Sequence, residues 1–378
     1  MIIINQLTVD RGNDMLFTKE HTQIAKGAAI LLMLLHHLFG IAVNVDYFQN
    51  DFFSALGGFG KVCVSMYAFM SGYGLYLSYK AKGTLKPFSR ILSLYLRYWI
   101  VLVFATIPSM LIFDGEALKI GIVKTVMNFL GLYCTWNPNA WFMFPYFAFI
   151  LLLPAVTKLI SKIHNRAVQF FTDIFILFII PIVFIVVFDK CVTLPGSGMV
   201  SYFLQSVLYG IVVMIPFFSA GYIFAKYNIF SKLKLAKLNI VPKIILSLFL
   251  IVACYFIRKI PTYSAYGMTY TDLIIAPVLI LSFSMLIVDT NIKPLVFLFK
   301  KMGVLSCNIW LVHYIFCQGA LNILTYAPKY PIIIFLFTVV LTVVAAIIIE
   351  FIYSLMTRLF DFIKNKIIKT KQKSSGNI

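Results

Sequence analysis

Residues 26–40 read KGAAILLMLLHHLFG, an apolar run opened by one lysine and closed by two histidines and a glycine. Crossing a bilayer core takes about 20 mostly apolar residues, and the run extended over 27–45 is long enough. Nine further runs of this kind lie at 59–79, 91–112, 140–157, 168–188, 200–224, 242–258, 270–288, 303–325 and 331–357. The segment 115–133 contains Glu116, Lys119 and Lys124, so it reads as an interfacial or re-entrant helix, not an eleventh span. The expected fold is all-α: a polytopic membrane protein of about ten transmembrane helices. Composition agrees, with 61% hydrophobic and 12% charged residues. Soluble domains are about 45–50% apolar and about 25% charged, so a water-soluble globule is excluded, as are disorder, a coiled coil and a disulfide framework.

The formal charge of +19 would suggest nucleic acid in a soluble protein. Its placement argues otherwise. With the N-terminus cytoplasmic, 25 of the 32 Lys and Arg fall on inside segments and 7 on outside ones. That asymmetry is the positive-inside pattern, and it implies ten spans with both termini cytoplasmic and no nucleic-acid partner. The expected organisation is a cytoplasmic N-terminal segment (1–26), a membrane domain (27–357) and a basic cytoplasmic tail (358–378). The opening residues lack a basic, short-cored leader, so the first span is expected to stay as an anchor in the cell membrane. The six cysteines show no CxxC or CxxH spacing, and no metal site is expected. Cys134 and Cys191 both fall outside and are expected to be unpaired thiols.

An ionisable group inside a bilayer costs a few kcal/mol or more, so each one is a functional hypothesis. Eleven residues at about 100° each return to within about 20° of the starting direction, which puts Lys26 and His37 on one helix face about 16 Å apart along the axis. His36 points about 80° away from that line and is a weaker candidate for the same pocket. The ninth span, KKMGVLSCNIWLVHYIF, repeats the pattern: His313 lies ten residues beyond Gly303, at a depth similar to that of His37, after Ser306, Asn308 and Trp310. In the second span, FMSGYG places Ser71 near mid-membrane beside Gly72, which reads as a helix-packing glycine. Arg90, Arg97, Asp173 and Glu350 fall toward the cytoplasmic half, and Arg97 is expected to pair with Asp173 or Glu350. Together these residues suggest a basic vestibule open to the cytosol, with imidazoles at its floor. Arg and Lys grip phosphates, and a neutral imidazole can take a proton from a hydroxyl, so acyl transfer from a coenzyme A thioester fits.

These residues also carry a resemblance. The chain is similar over nearly its whole length to the acyltransferase-3 family of membrane O-acyltransferases. Lys26 and His37 match that family's basic residue, ten-residue spacer and histidine, with Lys in place of the commoner Arg. Phe69 to Tyr73 loosely match an F-x-x-SG-[YF] motif. Arg90 matches the start of R-x-x-R, with Ser93 in the second place and Tyr98-Trp99 following. Trp141, Phe142 and Pro154 match the fourth-span pattern, and Gly303, Ser306, Ile309, Trp310, Leu311 and His313 match G-x-x-S-x-x-[IL]-[YW]-L-x-H. The paired glutamates of the peptidoglycan and lipopolysaccharide branches are replaced by Pro145-Tyr146, which points away from those acceptors.

The resemblance implies transfer of an acetyl or other short acyl group from cytosolic acyl-CoA to a carbohydrate or lipid-linked glycan. His37 and His313 would be catalytic, with His37 the general base or a transient acyl carrier. Lys26, Arg90 and Arg97 would bind the donor, and His36, Ser71, Trp141, Ser306 and Asn308 would line the pocket. Acetyl-CoA or another acyl-CoA is then a substrate, with no bound cofactor. Some members carry an extracytoplasmic esterase-like domain. Here the expectation is direct acylation of the acceptor or hand-over to a separate extracytoplasmic partner. The rival readings are a glycan-lipid transporter or flippase, which would be expected to show inverted repeats, and a non-catalytic scaffold.

Overall fold

The computed structural model describes residues 17–41, 50–191, 198–233, 235, 238–262, 264–265 and 268–375, the side chains of 191 and 367–375 excepted. Among these residues ten helices are long and apolar enough to cross a membrane. They are α1 (Lys19–Gly40), α2 (Asp51–Lys82), α3 (Pro87–Phe113), α5 (Pro138–Ile160), α6 (Arg166–Lys190), α7 (Met199–Lys226), α8 (Ile240–Ile257), α9 (Asp272–Thr290), α10 (Lys293–Cys317) and α11, whose spanning part is Pro331–Lys366. A short helix, α4 (Ile122–Leu130), stands between α3 and α5. A two-residue antiparallel ribbon, Ser264–Ala265 against Met268–Thr269, joins α8 to α9. The chain is thus an all-α multi-pass membrane protein.

Several helices start or end away from the expected boundaries, because hydropathy marks the apolar run and not the helix. Helix α1 begins at Lys19, where Thr18 and His21 form a reciprocal cap, eight residues before the apolar run. Helix α10 begins at Lys293 and ends at Cys317, so the span expected at 303–325 is shifted toward its N-terminus. His37 and His313 therefore lie near the far ends of their helices. Helix α11 runs on to Ser375, past the expected span end at 357, since no Pro or Gly interrupts it. The segment 115–133 does not span. Tyr95, Tyr98 and Trp99 from the middle of α3 donate to the carbonyls of Leu130, Asn128 and Phe129 at 2.9, 2.7 and 2.8 Å. These bonds satisfy the last carbonyls of α4 at the level of the middle of α3, as a re-entrant helix requires.

Between helices in lipid, small residues and polar bridges hold the contacts. At the α1–α10 crossing, a Cβ on Gly27 would lie 2.1 Å from Phe299 O, and one on Gly303 would lie 1.9 Å from Gln23 O. At α2–α7 the same holds for Gly72 against Phe218 O and Gly221 against Phe69 O, both at 1.8 Å. Gly72 is thus a packing glycine. The two fully buried aspartates, Asp173 and Asp272, are paired. Asp173 on α6 takes Lys226 at 2.6 Å and the Tyr227 hydroxyl at 2.7 Å. Asp272 takes Arg258 at 2.9 and 3.2 Å, and Arg258 also donates to Gly58 O. The Cys134 thiol is free and donates to Gly131 O at 3.0 Å; the side chain of Cys191 lies outside the described residues.

Two substitutions on one helix test the packing account. Gly72→Val should push α2 off α7 and lower the melting temperature of the detergent-solubilised protein by several degrees. Gly74→Val, where an added Cβ meets nothing within 4 Å, should leave it unchanged. Equal effects at both sites would refute the account.

Candidate functional site

Six helices form a closed ring in which each touches the next: α1, α10, α11, α3, α5, α2 and back to α1. The ring surrounds a cavity of about 670 Å³. Lys26, Met33 and His37 line it along α1, and Cys63, Val64, Tyr67 and Ser71 along α2. Ser89, Arg90, Ser93 and Arg97 come from α3, and Asn139, Trp141, Phe142 and Tyr146 from α5. Helix α10 adds Ser306, Cys307, Trp310 and His313, and α11 adds Tyr353. The cavity therefore runs along the Lys26-to-His37 face of α1, about 16 Å at helical rise.

The end nearer the start of α1 is cationic. None of the ion pairs among the described residues involves Lys26 or Arg90. Arg90 is held by donation to Leu85 O at 2.8 Å and to Ser78 Oγ at 2.9 Å, so its orientation is fixed while its charge stays uncompensated. Tyr67 donates to the Lys26 carbonyl at 2.9 Å and fastens α2 to α1 at this level.

Arg97 differs. Both its terminal nitrogens meet Glu350, it donates to Asn308 Oδ1 at 2.8 Å, and its guanidinium stacks 3.7 Å from the Tyr353 ring centroid. Asn308 donates in turn to Glu350 Oε2 at 2.9 Å. Of the two partners expected for Arg97, Glu350 is the one found. Asp173 lies with Lys226 between α6 and α7 and takes no part in the cavity. The charge of Arg97 is thus spent within the wall, where it ties α3, α10 and α11 together. Asn308 belongs to this clasp and does not line the cavity.

The other end carries the imidazoles. His37 lies on a π-helical turn, His36–Gly40, of the kind often found at functional sites. Its ring centroid is 4.6 Å from that of His313, at an interplanar angle of 60°. His37 Nδ1 lies 3.1 Å from Gln318 Oε1. An amide oxygen accepts only, so Nδ1 carries the proton and the acceptor lone pair is on Nε2. His313 Nδ1 lies 2.7 Å from the Trp310 carbonyl and Nε2 lies 3.0 Å from Asn139 Nδ2. By the same logic Nδ1 donates and Nε2 accepts from the amide. His36 turns away, with Nδ1 3.0 Å from Gly57 O, and its expected pocket role gives way to tying the end of α1 to α2.

The structure brings together in one wall Lys26, His37, Ser71, Arg90, Arg97, Trp141, Ser306 and His313, and leaves out His36 and Asn308. Sequence reasoning missed Asn139, Gln318, Tyr67, Cys307 and Tyr353. Asn139 could have been noticed, since it is one of two asparagines in the NPN stretch (137–139) shortly before Trp141. Gln318, the residue after α10, carries no sequence signal.

A family model described as an acyltransferase domain, that of the acyltransferase-3 family, matches residues 23–351. Neither a curated protein nor a solved structure matches the chain. The chain belongs to the acyltransferase-3 family and is a multi-pass membrane acyltransferase.

The two kinds of arginine separate in a stability assay. Arg97→Ala leaves Glu350 half-buried without its cation, and loss of one partner of a buried pair costs about 3–5 kcal/mol, less here because Glu350 is partly exposed. A clear fall in melting temperature is expected, restored by adding Glu350→Leu. Arg90→Ala should melt like the parent. A drop for Arg90→Ala as large as for Arg97→Ala would contradict the assignment.

Proposed function

We propose that this member of the acyltransferase-3 family moves an acetyl or other short acyl group from acyl-CoA to a hydroxyl of a cell-surface or lipid-linked carbohydrate, with His37 as general base. The observation that carries this reading is one cavity with uncompensated cations at one end and His37 at the other. Phosphates of coenzyme A suit Lys26 and Arg90. The face bearing the start of α1 is then cytosolic, in keeping with the 25 Lys and Arg assigned to that side, and the membrane is the cell membrane. The pantetheine arm would lie along α1 and bring the thioester to the imidazoles.

His37 Nε2 takes the proton of the acceptor hydroxyl as its oxygen bonds to the thioester carbonyl carbon. The carbonyl π pair moves onto oxygen, then returns as the C–S bond breaks. The coenzyme A thiolate leaves and takes the proton from the imidazolium. Such general-base assistance contributes about 10²–10⁴-fold.

Two measurements on purified protein in nanodiscs test this. His37→Ala should abolish transfer of labelled acetyl from acetyl-CoA to a glycan acceptor while elution and melting match the parent; retained turnover would remove His37 from the chemistry. Lys26→Ala and Arg90→Ala should raise KM for acetyl-CoA about tenfold or more, with a smaller change in kcat, as lost uniform binding requires. An unchanged KM would reject their role. In cells, mass analysis of surface glycans with and without the gene should show loss of the acyl increment.

A further inference from the structure

The hydrogen bonds around His313 assign it a task other than that of a second base. Its Nδ1 lies 2.7 Å from the Trp310 carbonyl, which can only accept. Nε2 must then be the acceptor nitrogen, and the Asn139 amide donates to it at 3.0 Å. Both nitrogens of this fully buried ring are occupied. The backbone of Asn139 is meanwhile held too, since its carbonyl accepts from the Trp310 indole at 3.2 Å. An amide nitrogen carries two N–H donors. One is spent on His313, and among the described residues the other meets no protein acceptor. Asn139, His37 and His313 line the same cavity, and the two imidazole rings are 4.6 Å apart.

An N–H donor held against an imidazole whose ring lies 4.6 Å from that of the base is what a developing oxyanion requires. We propose that Asn139 is a catalytic residue whose free amide N–H stabilises the carbonyl oxygen of the tetrahedral intermediate, and that His313 is a positioning residue which aims that amide. This assignment rests on the acyl-CoA reading above and goes beyond it. As the acceptor oxygen adds to the thioester carbon, the π pair settles on the carbonyl oxygen and Asn139 donates to it. When the pair returns and the C–S bond breaks, the hydrogen bond weakens and the proton held by His37 passes to the thiolate. No proton leaves or reaches Asn139 or His313.

The experiment is steady-state acetyl transfer by the nanodisc-embedded full chain with acetyl-CoA as the probe, alongside CoA binding read from the fluorescence of Trp141 and Trp310. Asn139→Ala is expected to lower kcat by about 10²–10³-fold, the usual effect of removing one oxyanion donor. KM for acetyl-CoA and CoA binding should stay within about threefold of the parent. The acid limb of the pH–rate profile should not move, because His37 remains the base. Asn139→Asp, isosteric but lacking both N–H donors when ionised, serves as the second variant and should be equally slow even if the alanine variant folds poorly. His313→Gln places an amide oxygen where Nε2 stood and can still accept from Asn139, so it should retain about tenfold more activity than His313→Ala.

Parent-like kcat in Asn139→Ala or Asn139→Asp would overturn the oxyanion role. A His313→Gln variant as inactive as His313→Ala, with a displaced acid limb, would make His313 a base and overturn the positioning role. These failures are distinct from failure of the underlying function, which would show as a parent protein that does not consume acetyl-CoA, or a His37→Ala protein that still does.

Discussion

The close crossing of α1 and α10 is the constraint on which the site depends. These two helices run in the same direction, and Gly27 and Gly303 let their backbones approach until a Cβ on either would lie within about 2 Å of the opposing carbonyl. From each glycine, ten further residues reach a histidine. At a shared rise of 1.5 Å per residue, both imidazoles climb about 15 Å above the crossing. They arrive at the same level and meet at a ring separation of 4.6 Å. A one-residue slip in either helix would turn one ring by about 100° and separate them.

Around that axis the charged groups divide into two populations. Arg97–Glu350, Lys226–Asp173 and Arg258–Asp272 are paired, and each joins separate helices. Lys26 and Arg90 line one cavity, and among the described residues neither has a carboxylate partner. A membrane interior penalises charge, so pairing explains the first set as scaffold. The second set is free of such pairing and is proposed to meet the donor. A polyanionic donor with a long neutral arm has the right shape for a cavity that is cationic at one end and lined by Trp141, Phe142 and Trp310 toward the other.

Much of this was legible in the sequence because the bilayer simplifies the problem. Length and apolar content found the ten spans, and the failure of 115–133 to qualify followed from three charges in one short segment. The spacing of Lys26 and His37 placed them on one face, and the spacing from Gly303 put His313 at the matching depth. What escaped depended on contacts between distant segments. Asn139 reaches His313 across 174 positions and Gln318 reaches His37 across 281, and no local pattern marks such partners. The choice of Glu350 over Asp173 for Arg97 likewise required knowing which helices are neighbours. Helix ends were misplaced at α1 and α10 because both helices begin with charged residues, Lys19 and Lys293, that lie outside the apolar runs hydropathy marks.

The proposed function requires one cavity to present a thioester to His37 from its cationic end. A cryo-electron microscopy structure of the protein with a non-hydrolysable acetyl-CoA analogue tests it most directly. Phosphate density is expected beside Lys26 and Arg90, the pantetheine arm along α1, and the acyl carbonyl between His37 and Asn139. An analogue bound elsewhere, or a His37 ring walled off from it, would rule out His37 as the base.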